Sequence, residues 1–68
     1  MNKELQKARD KAGMTLEAVA DAAGISLRSY QRIEAGQRWP RVDEALKIAA
    51  ALKMTVEELW RIDAANDA

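Results

Sequence analysis

Residues 15 to 36 read TLEAVADAAGISLRSYQRIEAG, two short helical patterns joined at a glycine. Thr15 is a candidate N-cap, with Glu17 in the first turn and Met14 placed to staple onto Val19. Leu16, Val19, Ala20 and Ala23 then recur at helical spacing, and the pattern stops at Gly24. Ser26 opens the next segment, Ile25 and Tyr30 take the two staple positions, Ile33 lies one turn beyond Tyr30, and Gly36 closes the pattern. A tight bend between crossing helices needs a residue that tolerates unusual φ, which Gly24 supplies. It also needs a small side chain where the helices touch, which Ala20 supplies. The spacing predicts a helix-turn-helix over about residues 16–35.

The flanking sequence adds three helices. Before the motif, Asn2 is a good N-cap for a helix carrying Leu5, Ala8, Arg9 and Ala12 on one face, ended by Gly13. After it, residues 37–41 contain Trp39 and Pro40 and read as a connection. Val42, Ala45, Leu46, Ala49 and Leu52 then define a helix over roughly 42–52. Thr55 and Glu58 form a T-x-x-E capping box, with Met54 and Leu59 as its staple, for a short fifth helix over about 56–62. Residues 63–68 are small, polar and acidic and are expected to fray, which leaves one domain over 1–62. Fourteen alanines against nine Val, Ile and Thr combined, with no Phe and one Pro, favour helices throughout. The expected fold is all-α, a compact five-helix bundle.

Composition narrows the function. Sixty-eight residues hold one small domain, and a chain of this size buries only about 60% of its unfolded surface, so close helix packing or a partner subunit is expected. With no Cys and no His, disulfides, the usual zinc ligands, a thiol nucleophile and a group titrating near neutrality are all absent. Glu57 and Glu58 are adjacent on a helix and point in different directions, so they form no acid/base pair. No catalytic residue, metal or cofactor is expected. The N-terminus alternates charges and no apolar stretch is long, so neither a signal peptide nor a membrane span is expected, and the location implied is cytoplasmic.

Eleven basic and eleven acidic side chains cancel, yet they are not mixed evenly. Residues 1–41 carry eight basic and five acidic groups, whereas residues 42–68 carry three and six. The basic half contains the helix-turn-helix, and within 26–41 Arg28, Arg32, Arg38 and Arg41 face only Glu34. At 100° per residue with Tyr30 pointing inward, Arg28 falls at about 160° and Arg32 at about 200°, with Gln31 and Ala35 on the same outer side. Two arginines one turn apart on an outward face suit bidentate recognition of guanine O6 and N7, and they also grip phosphate. Ser26 and the first-turn N–H groups of that helix offer a further phosphate site.

The stretch GMTLEAVADAAGISLRSYQRIEAGQRWP, followed by ALKIAAAL and TVEEL, resembles the phage Cro and cI repressor family (the XRE family) over about residues 5–60. The resemblance implies a DNA-binding domain that enters the major groove of double-stranded DNA with its third helix, as a homodimer, and so regulates transcription as a repressor, associated with the nucleoid when bound. By position, the family's base-reading sites fall on Leu27, Arg28 and Arg32, with Gln31 beside them. Its backbone-contacting sites fall on Leu16, Ser26, Arg38 and Arg41, and its ion pair between the first and third helices on Arg9 and Glu34. Val56, Trp60 and Ile62 are candidates for a two-fold contact through the last helix, with closure of the monomer core as the alternative role of Trp60. Trp39 either packs across its loop or flanks the DNA backbone.

Departures from the family pattern carry their own expectations. Leu16 stands where many members have Gln, which leaves any phosphate contact there to the backbone N–H. Leu27 makes no hydrogen bond to a base but suits a thymine methyl. Ala35 replaces a common Asn or Arg, Arg41 replaces a Ser cap, and Lys53 replaces a C′ glycine at a cost of about 1 kcal/mol. The competing class is an antitoxin-like or antirepressor-like protein-interaction module on the same scaffold, which zero net charge and the apolar Leu16 and Leu27 favour. No small-molecule effector site is evident.

Overall fold

The computed structural model describes residues 2–60. Five helices follow in order: α1 (Lys3–Ala12), α2 (Leu16–Ala23), α3 (Leu27–Glu34), α4 (Val42–Leu52) and α5 (Val56–Trp60). No strand occurs among the described residues, and the all-α five-helix architecture is the one expected. The expected continuation of the last helix to 62, with Ile62 itself, and the acidic residues 63–68 lie outside the described residues.

The helices begin where their caps place them. Asn2 Oδ1 accepts from Leu5 N–H at 2.9 Å, Thr15 Oγ1 from Ala18 N–H at 3.1 Å, and Ser26 Oγ from Ser29 N–H at 3.1 Å. Thr55 and Glu58 complete a reciprocal box, in which Glu58 N–H donates to Thr55 Oγ1 and Thr55 N–H donates to Glu58 Oε1. These bonds from Thr55 hold the Glu58 carboxyl below its ordinary pKa. At the bend, Gly24 takes φ +70°, and Gly24 N–H and Ile25 N–H close onto the carbonyls of Asp21 and Ala20. This is the Schellman closure that a left-handed residue permits.

α4 begins and ends differently. Its N-terminus has Arg41 in the cap position, and the Glu44 carboxylate reaches back to accept from the Arg41 backbone N–H at 3.0 Å. Its C-terminus turns at Lys53, with φ +56°, the left-handed conformation in a residue with a Cβ. Lys53→Gly is therefore expected to raise stability by about 0.5–1 kcal/mol, a gain of about 2–8 °C in Tm by calorimetry. An unchanged or lower Tm would show that the lysine carries no strain there.

The core takes at least one fully buried side chain from every helix: Leu5, Val19, Tyr30, Ile33, Ile48 and Leu59. Alanines 8, 20, 23 and 49 are buried between them and let the helices approach closely. α2 packs chiefly on α4 and α3, α1 on α5, and α3 is held by α2 and α1. α3 thus has one face committed to the core and the opposite face in solvent.

Candidate nucleic-acid interface

The solvent face of α3 carries Leu27, Arg28, Gln31 and Arg32, all exposed, while Tyr30, Ile33 and Glu34 are buried on the other side. This is the division that the 100° periodicity predicts. Arg28, Gln31 and Arg32 line one open concavity together with Ala35 and Gln37. Gln37 does not stand out in the sequence. Gly36 takes φ +79° and Gln37 N–H donates to the Arg32 carbonyl at 2.9 Å, so the chain curls back over the last turn of α3 and brings residue 37 beside Arg32. A glycine just past the helix signals this closure, because it returns the following residue to the carbonyl five positions earlier.

The C-terminal end of α3 is tied to both ends of α1. Arg9 donates from Nε to Glu34 Oε2 and from Nη2 to Oε1, each at 3.1 Å, a bidentate pair whose side chains are 15% and 9% exposed. Its remaining nitrogen, Nη1, donates to the Met14 carbonyl at 3.1 Å, and the Asn2 N–H donates to the Glu34 carbonyl at 2.9 Å. The hydrogen bond to Glu34 raises the Arg9 pKa further, so the guanidinium stays charged. Tyr30 is buried beside this pair. Its hydroxyl has no hydrogen-bond partner among the described residues, and burial, reinforced by the Glu34 carboxylate, raises its pKa above the ordinary tyrosine range. The expected ion pair between the first and third helices is present and helps set the position of α3.

The other candidate residues separate. Ser26 Oγ is exposed but occupied, accepting the cap bond from Ser29 N–H and donating to Ser29 Oγ at 3.1 Å. Leu16 is half-buried against the core, which leaves only its backbone for an outside contact. Arg41 is exposed and loosely paired with Asp43 at 3.6 Å, an arrangement worth little that a phosphate displaces readily. Arg38 instead turns inward. Its Nη2 donates to Glu44 Oε1 at 3.0 Å and to Oε2 at 3.3 Å, and its Nη1 is buried with no partner among the described residues. Glu44, itself buried, thus joins the connection 37–41 to α4 through Arg38 and the Arg41 backbone.

The two tryptophans divide as well. Trp39 is 76% exposed, so it does not pack across its loop into the core. Trp60 and Val56 are half-buried and pack against the core cluster from α5. Among the described residues, no helix is long and apolar enough to cross a membrane.

Two comparisons bear on this arrangement. A helix-turn-helix family model matches residues 5–59, which takes in the paired α2 and α3, the ion-pair residues and the core. Over 66 residues the chain is 35% identical to a cryptic phage CTXphi transcriptional repressor, RstR, of Vibrio cholerae serotype O1. That match takes in 93% of this chain and spans 59% of the length of the relative. On its motif, its fold and the extent of the family match, the chain belongs to the helix-turn-helix family of the phage Cro and cI repressors.

Proposed function

We propose that this chain is a sequence-specific double-stranded DNA-binding regulator of transcription, a repressor, that reads the major groove with α3 as a homodimer. The observation that carries this reading is the joint exposure of Arg28, Gln31 and Arg32 on one face of a helix whose opposite face is buried. A guanidinium on that face binds guanine O6 and N7 with two parallel hydrogen bonds. Gln31 pairs in the same manner with adenine N6 and N7, and Leu27 contacts a thymine methyl. Arg41 and the first-turn N–H groups of α3 hold phosphates and fix the register. Arg38 is left out of this set because Glu44 engages it. The Arg9–Glu34 pair is a positioning element, holding the helix so that each base-reading side chain is presented at a defined depth.

The homodimer places two α3 helices in successive major grooves, about 34–36 Å apart along one face of the duplex. Val56 and Trp60, on the last described helix, are candidates for the two-fold contact, as is Ile62 beyond the described residues. The Vibrio cholerae relative is a transcriptional repressor, which supports the repressor reading. The cytoplasm of a bacterial host, where such DNA is found, is the corresponding location.

The test is selection from a pool of randomised duplexes, followed by titration of the selected site at several salt concentrations. Enrichment of an inverted repeat is expected, with a slope of about −2 to −5 in log affinity against log salt, as release of counterions from a few phosphates requires. A folded protein that enriches no sequence and whose binding ignores salt would favour the protein-interaction reading, for which Leu27 at the start of α3, 37% exposed, is the supporting feature.

A further inference from the structure

Away from α3, three large apolar side chains among the described residues stand in solvent: Trp39 at 76%, Val42 at 77% and Leu46 at 58% exposure. Val42 and Leu46 are one turn apart on the outer flank of α4, where the monomer gains nothing from apolar residues. They and Trp39 line one groove, with the buried Ala45 and Ala49 at its base and Trp60 of α5 on its wall. No residue of α3 lines it, so filling this groove leaves the base-reading face open.

We infer that this face is where two copies of the chain pair, with Trp39 of each copy seated in the groove of the other above Ala45 and Ala49. The inference rests on the homodimer proposed above and names its surface, a groove bounded by the connection before α4, the outer flank of α4 and the Val56, Glu57 and Trp60 side of α5. A two-fold contact must be complementary to itself, and here a protruding indole and an apolar groove floored by small residues share one face. The area agrees. Three side chains at these exposures present on the order of 400 Å², about half of the ~800 Å² per partner in a standard-size interface, and the half-buried groove walls extend it. A patch of this size is in the range of the largest apolar patch on an ordinary monomer, where such patches are often functional.

The experiment measures mass by sedimentation equilibrium across a range of concentrations, without DNA, for the wild type, Leu46→Glu and Trp39→Ser. Both positions are exposed, and thermal melts of each variant check that the fold is kept. The wild type is expected to dimerise, and each variant to dimerise at least tenfold more weakly. In duplex selection, Leu46→Glu is expected to enrich the same half-site without the inverted repeat. A dimer that both variants leave intact overturns this surface and leaves the homodimer standing on other residues. A wild type that is monomeric both alone and on its selected duplex overturns the homodimer and the surface together. A monomer that binds a different protein through Trp39 assigns the groove to that partner and likewise overturns the pairing.

Discussion

Replacing Arg28 and Arg32 together with alanine is expected to lower affinity for the selected duplex by about 100-fold or more, with stability within about 0.5 kcal/mol of wild type. Each bidentate arginine–guanine contact discriminates by about 1–3 kcal/mol, so the loss of two exceeds what removing two phosphate contacts alone would produce. Both side chains are exposed and unpaired with the core, and alanine favours a helix, so the fold has no reason to respond. The single variant Arg32→Lys separates reading from charge. It keeps the cation, and with it most of the salt dependence, but loses the planar fork and with it the base preference. Competition titrations against the selected and a scrambled duplex check both outcomes. Equal affinity of wild type and double variant for the selected site would remove these arginines from the reading face.

The second large effect falls on stability. Glu34→Ala is expected to destabilise the fold by about 2–4 kcal/mol, measured by urea unfolding, because it strips a mostly buried guanidinium of its bidentate partner. Among the described residues, Arg9 would keep the Met14 carbonyl and a distant Asp10 at 3.8 Å. For a domain of this size, with stability near the lower end of the usual 5–15 kcal/mol, that loss unfolds a visible fraction at 37 °C. The double replacement Arg9→Met, Glu34→Leu is expected to recover much of the stability, since removing both charges also removes the cost of burying either. A loss below about 0.5 kcal/mol in Glu34→Ala would place the pair among ordinary surface ion pairs. The pairing also bears on function, because it acts where α3 meets α1, and a helix freed at that end presents its arginines less sharply.

Helix boundaries were legible in the sequence because they are local events. Asn2, Thr15, Ser26 and Thr55 each cap a helix through an N–H three residues ahead, and Gly13 and Gly24 end one by a left-handed turn within a few residues. The outer face of α3 was legible for the same reason, since Arg28, Gln31 and Arg32 keep the angular relation to Tyr30 that helix geometry imposes. The Arg9–Glu34 pair was legible only through family resemblance, since 25 residues separate its partners. What remained hidden depended on which distant segments meet. Arg38 and Arg41 look alike in a line of residues, yet one is drawn inward by Glu44 and the other stays in solvent. Trp39 is exposed, and the connection 37–41 is tied to α4 through Arg38 and Glu44 instead of through the indole. Gln37 joins the arginines because the turn at Gly36 folds back. Local sequence thus determined where each helix starts, stops and faces, since those follow from hydrogen bonds and periodicity within one or two turns. Only tertiary structure decided which charges pair and which apolar side chains stay uncovered, since those follow from the spatial meeting of residues that the chain order keeps apart.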